Sequence, residues 1–399
     1  MKALSTPGAK SLLGSSIVAR LPLAMFSLAL LVHAQQVTGS FAVAGMVSGA
    51  YAIAGAVSSP LLGRLVDRCG QTKVLVSGAT ATALVLVTTA LLPASTPPLV
   101  LVALAGATGA STPPLAACIR TLLPAIVSDA SELPGLFALE SAVLELTFIF
   151  GPPLALGIGA LWSTSAALVL SGSVMLASTL AFAAQPASRR WRPDAGAERP
   201  RGGSLRSPAM RTLVFILLGT GAVFGATDVG VTAAAAKLGS TPAAGPLLGV
   251  WGLGSLFGGI VTTRLGGGAR RASTLVVLLA ALAVGHGALL LATGSVLALG
   301  AVILLAGATI APTVSSIYAM VDRAAPAGTR TEAFSWLLTA SSSGAAAGAA
   351  VAGALAQSAG APAVFAFALV AGGFAVLVAT CGSRHLDQVP AVALQPAAA

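Results

Sequence analysis

A chain of 399 residues that is 56% hydrophobic and 8% charged, with a mean hydropathy of +0.94, has too few polar side chains to cover a soluble surface of its size. That excludes a soluble enzyme or binding module and leaves a chain solvated by the lipid bilayer. The formal charge of +10 does not indicate a nucleic-acid partner, because the basic residues are scattered between apolar segments where no recognition fold has room.

Apolar windows of about 19 residues predict helices at 15–37, 41–63, 74–93, 98–121, 135–161 and 164–185. After a polar break they predict helices at 212–236, 243–264, 273–292, 295–320, 331–356 and 361–382. Lys2 and Lys10 precede the first apolar run as they would in a signal peptide. The run continues past Arg20-Leu21-Pro22 to Val32, however, so an uncleaved first helix is expected. That helix carries the polar side chains His33, Gln35 and Gln36.

Between helices two and three lies Gly63-Arg64-Leu65-Val66-Asp67-Arg68-Cys69-Gly70-Gln71-Thr72-Lys73. Gly63 permits a close helix approach, Asp67 is an anion able to sit at a neighbouring helix N-terminus, and Arg68 and Lys73 hold the loop inside. The pattern G-x-x-x-D-R-x-G followed by a basic residue resembles motif A of the major facilitator superfamily. The resemblance implies that Gly63, Asp67, Arg68, Gly70 and Lys73 form a conformational latch between two halves of a transporter. Gln71 and Thr72 replace the usual basic pair, which thins the loop's own charge network. The expected partner of Asp67 is the N-terminal end of helix eleven, where Thr329 and Glu332 have capping-box spacing.

Predicted helix five contains Glu140 and Glu145 and then Gly151-Pro152-Pro153. Glu145 lies about 15 Å from the inner end at 1.5 Å per residue, where a carboxyl is a functional hypothesis by default and suited to carrying a proton. Glu140 is shallower and could pair with Arg120. Gly151-Pro152 resembles the core of the helix-five antiporter motif of the same superfamily, and Pro152 and Pro153 are expected to bend the helix.

The segment 186–211 holds seven Arg, several Pro and Gly and no helical period, so it reads as a flexible linker between residues 1–185 and 212–399. The two halves are related. Leu104-Ala105-Gly106-Ala107-Thr108 recurs as Leu305-Ala306-Gly307-Ala308-Thr309, with Pro113 and Pro312 downstream. In the counterpart of the latch loop, Arg264 to Arg271, the basic charge is kept and the acid is lost. Gly45 and Gly49, like Gly254 and Gly258, have the spacing that lets helices pack closely. Asp228 in helix seven is a further buried-acid candidate; the resemblance to the superfamily, whose helices one, four, seven and ten line a central cavity, implies that it could face His33, Gln35 and Gln36 across that cavity.

With the N-terminus cytoplasmic, the even-numbered connections, the two tails and the helix ends beside them hold every Lys and Arg except Lys237, which is 20 of the 21. By the positive-inside rule both termini then face the cytoplasm. Cys69, Cys118 and Cys381 fall near cytoplasmic helix ends, so neither a disulfide nor a metal site is expected.

Together these readings give an all-α integral membrane protein with twelve transmembrane helices in two pseudo-symmetric six-helix bundles. The resemblance implies a monomeric secondary transporter of a bacterial plasma membrane, not an enzyme, with no cofactor beyond an ion gradient, expected to be protons. Its partners would be the bilayer and a small-molecule substrate. The expected activity is proton-coupled efflux of a small apolar compound, with Glu145, Asp228 or Glu140 as proton site. Uptake or facilitated export of a neutral solute is the alternative, and a non-transporting scaffold or sensor the third.

Overall fold

A computed structural model of the protein describes residues 9–126, 133–192, 202–240, 243–264 and 271–387. The helices are α1 (Ala9–Thr38), α2 (Phe41–Cys69), α3 (Gln71–Leu91), α4 (Pro98–Ser111), α5 (Leu115–Ile126), α6 (Leu133–Leu161), α7 (Thr164–Ala184) and α8 (Pro186–Arg190). They continue as α9 (Pro208–Lys237), α10 (Ala244–Arg264), α11 (Ala272–Gly287), α12 (Val296–Gly307), α13 (Ile310–Ala324), α14 (Arg330–Ser358), α15 (Ala361–Cys381) and α16 (Ser383–Asp387). No strand occurs among the described residues. This is what lipid demands, since a helix satisfies its own backbone hydrogen bonds.

Among the described residues ten stretches are long and apolar enough to cross a membrane, and α1 and α6, at 30 and 29 residues, occupy the places of the first and fifth predicted helices. Two predicted helices are broken. The span expected at 98–121 divides into α4 and α5 at Thr112-Pro113-Pro114, where two successive residues lack an N–H. The span expected at 295–320 divides into α12 and α13 at Ala308-Thr309, four residues before Pro312, whose missing N–H leaves the Ala308 carbonyl without its helical partner. The break therefore recurs at related places of the repeat. By contrast α6 runs uninterrupted through Gly151-Pro152-Pro153; the side chains of both prolines lie outside the described residues.

α1 packs on α6 and α7, α2 on α4, and α3 on α7; later in the chain α9 packs on α14 and α15, α11 on α15, and α10 on α12. Between these groups, α2 and α5 meet α14, and α6 meets α10 and α13. Small residues set the closest approaches. Gly254 and Gly258 sit against the backbone of Leu304 and Ala308, and Gly344 and Gly348 against that of Leu218 and Ala222. The first-half pair differs from expectation: a methyl group on Gly45 or Gly49 would meet nothing within 4 Å, so the same spacing there mediates no contact. Gly258→Val is accordingly expected to cost about 1–3 kcal/mol through overpacking and to lower the unfolding temperature of the detergent-solubilised protein. Gly45→Ala should leave that temperature unchanged.

Candidate functional site

The loop at Gly63 to Lys73 forms the end of α2, a one-residue turn at Gly70 and the start of α3. Gly70 sits at φ 93, in the region that favours glycine. One helical turn earlier, the buried Asp67 carboxylate lies at the N-terminus of α14: Oδ1 accepts from the Thr331 N–H at 3.1 Å and Oδ2 from the Glu332 N–H at 2.9 Å. Two donors that a helix start leaves unpaired are satisfied by a charge favoured at that end of the macrodipole. The approach needs Gly63, because a Cβ there would stand 2.9 Å from the Thr331 carbonyl and 3.0 Å from the Glu332 Cα.

The expected capping box does not form. The Thr329 hydroxyl donates instead to the Pro326 carbonyl at 2.7 Å, and Asp67 takes the place of a local cap. The Glu332 carboxylate is drawn to a cation: Arg64 donates through Nε at 3.1 Å and Nη2 at 2.8 Å, a bidentate pair. The Ser204 N–H donates to the same carboxylate at 3.2 Å. Ser204 belongs to a 3-10 turn, Gly203–Arg206, inside the segment expected to be a flexible linker. Its placement corrects that expectation for residues 202–207: Gly203, at φ 61, and Ser204 are small enough to tuck under Glu332, and both are buried. Earlier in the segment α8 is ordered too, and the buried Ser188 donates to Gln71 at 3.4 Å. Gln71 in turn donates to the Cys118 carbonyl at 3.4 Å, which gives the departure from the motif a structural use. Arg68 and Lys73 are exposed, and the second-half counterpart at 265–270 lies outside the described residues.

Deeper in the bundle, α1, α5 and α6 bring together Arg20, Arg120 and Glu140, all fully buried. Glu140 is ion-paired to Arg20, and its Oε2 accepts from Arg120 Nε at 3.1 Å. The Arg120 guanidinium lies 4.1 Å from the centre of the Tyr318 ring of α13, a cation–π contact. Tyr318 packs with Phe137 and Phe334, whose ring centroids lie 5.9 Å apart. Two guanidiniums share one carboxylate, and Arg20 Nε and Nη2 and Arg120 Nη1 and Nη2 have no hydrogen-bond partner among the described residues. Arg20 was counted above among charges that fix orientation; it lies inside α1, where its buried pairing matters instead. An arginine within an apolar run is itself a sequence signal of function.

One helical turn from Arg20 and Arg120, at Leu23 and Ala116, begins a cavity of about 280 Å³, lined mainly by apolar groups together with the hydroxyl-bearing residues Tyr51, Ser59, Thr112, Thr339 and Ser342. Thr339 also donates to the Ala56 carbonyl at 3.0 Å, joining α14 to α2 beside the cavity. The other predicted cavity residues do not gather here. The Thr164 hydroxyl of α7 donates to Gln36 Oε1 at 2.6 Å, and so accepts from His33 Nδ1 at 3.0 Å. Both groups thus turn into the α1–α7 seam; Gln35 is half-buried, with its carbonyl accepting from the Gly39 N–H at 2.8 Å. Asp228 is exposed on α9, and the Glu145 side chain lies outside the described residues. His286 is occupied structurally, donating to the Leu282 carbonyl and accepting from Trp251 Nε1 at 3.0 Å.

Residues 12–267 match a family model described as Major Facilitator Superfamily. No curated protein sequence matches the chain. Among solved structures it is similar to a bacterial homologue of the iron transporter ferroportin in the outward-facing state, with TM-score 0.72 and 17% identity over 94% of this chain and 99% of that one. It is also similar to the human organic anion transporter MFSD10 (TETRAN), with TM-score 0.70 and 15% identity over 94% of this chain and 100% of that one.

Proposed function

The chain belongs to the major facilitator superfamily, and on that premise we propose that it is a secondary transporter which moves a small molecule by rocking residues 1–185 against residues 212–399. The observation that carries this reading is the seating of Asp67 on the N-terminus of α14. It ties the two groups of helices at one end by contacts that can break and re-form. The charge distribution supports a cytoplasmic side for that end and for both termini, and on this reading, in a plasma membrane, the latch closes the inner mouth.

The favoured cargo is a small, largely apolar compound, exported in exchange for protons with Glu145 or Asp228 as the proton site. Glu140 is the weakest of the three candidates, because two guanidiniums hold it. Nothing supports carrying over the iron of the first structural neighbour: among the described residues no group of three His, Cys, Asp or Glu could hold a metal. The hydroxyls around the cavity favour a second reading, transport of a neutral hydrogen-bonding solute without protons.

Acidified inverted vesicles containing the protein and a luminal pH dye separate the two. Addition of an exported compound from a drug-like panel is expected to alkalinise the lumen, and Glu145→Gln or Asp228→Asn to slow this at least tenfold. Flux indifferent to the pH gradient in the parent and both variants would reject proton coupling. Absence of flux for every compound that binds the purified protein would reject transport.

A further inference from the structure

We propose that Arg20 and Arg120 form a binding site for a single carboxylate, or an equally planar monovalent oxyanion, at the latch-side floor of the cavity. The first observation is the charge imbalance. Both guanidiniums and their one carboxylate are fully buried, which leaves a net charge of +1 and four guanidinium nitrogens without a partner among the described residues. A buried charge in low dielectric calls for a counter-charge, and the planar guanidinium fork matches an oxyanion better than a halide.

The second observation is position. Arg20 lies one helical turn from Leu23, and Arg120 one turn from Ala116, both of which line the cavity. An anion on the arginines would therefore have an apolar space next to it. The third is the cover. Tyr318 of α13 lies on the Arg120 guanidinium, and Phe334 of α14 packs beside Tyr318, so side chains of α13 and α14 cover Arg120. The cover is coupled to the latch: Thr121, next to Arg120, has its hydroxyl 3.2 Å from that of Thr331, whose N–H is held by Asp67. Release of Asp67 would let α14 and its Phe334 move away from Tyr318 and so loosen the cover over Arg120 at the latch end.

The site rests on the alternating-access reading above and narrows its substrate class to small apolar molecules bearing one carboxylate. Its test is the thermal unfolding of the full-length protein in detergent, titrated with sodium acetate, hexanoate, benzoate or nitrate at constant ionic strength made up with sodium chloride. A saturable rise in unfolding temperature is expected, with the half-saturating concentration raised at least tenfold in Arg20→Gln and in Arg120→Gln and lowered several-fold in Asp67→Asn. Hexanoate and benzoate at least tenfold tighter than acetate would identify the anion as the head of an apolar substrate; equal values would identify a free small oxyanion at the same site. A shift that does not saturate, or that is unchanged in both arginine variants, would overturn the proposal. If either arginine variant does not fold, Tyr318→Leu serves instead: removal of the cover should lower the half-saturating concentration, and an unchanged value overturns it. Arginine-dependent binding without flux would reject the transport reading and keep the site; flux with arginine-independent anion effects would do the reverse.

Discussion

Glu140→Gln is expected to destabilise the folded protein by roughly 3–5 kcal/mol, the range for removing one partner of a buried ionic group. The substitution leaves two fully buried guanidiniums facing each other with no carboxylate between them. Arg20→Gln should be far milder, because Glu140 and Arg120 remain as a one-to-one pair. This order, large for the acid and small for one of its two bases, follows from the stoichiometry of the cluster, and a simple ion pair would not give it. Unfolding temperature and the monodisperse fraction after solubilisation measure both variants. The double variant Arg20→Gln with Glu140→Gln should lose less than the two single losses added, since it buries one stranded charge in place of two. A Glu140→Gln protein as stable as the parent would mean that Glu140 is already neutral in the folded state.

How far this arrangement was legible in the sequence depends on the range of each signal. Hydropathy windows located the helices, because each spanning segment must satisfy its backbone alone and so announces itself locally. Pro113 and Pro312 stood out as repeated, yet the windows passed over the breaks they cause, since hydropathy averages across a missing hydrogen bond. Asp67 and the start of helix eleven could be matched because each carries a motif of its own. The pairing of Arg64 with Glu332 spans 268 residues and that of Ser204 with Glu332 spans 128, and no periodicity reports such contacts. Glu140 with Arg120 was within reach as two charges at the same end of neighbouring helices. Arg20 was missed because a basic residue near a first helix reads equally well as a topology signal. The glycine pairs make the same point: spacing at Gly45–Gly49 and Gly254–Gly258 permits close approach, and only the fold decides which pair is approached.

Asp67→Asn is expected to shift the latch toward its open state by about 10- to 100-fold, equivalent to the roughly 1.5–3 kcal/mol of a hydrogen bond to a charged group. Asn keeps the shape of Asp but has one acceptor oxygen, and it turns an NH₂ toward one of the two N–H groups of Thr331 and Glu332. A reporter is available at Ser335, which is fully buried on α14 facing Gly63. With Cys69 and Cys381 replaced by Ser, the maleimide labelling rate of Ser335→Cys should rise by that factor in the Asp67→Asn background. Gly63→Val should open the latch further, because the obstructing atoms include, besides the Ser335 hydroxyl, the Thr331 carbonyl and the Glu332 Cα, backbone that no rotamer change can move. In that background Asp67→Asn should add nothing, since a carboxylate held away from α14 has no contact left to lose. If instead the two effects add fully, Gly63 and Asp67 act on different equilibria, and closure at the end of α2 is not a single latch.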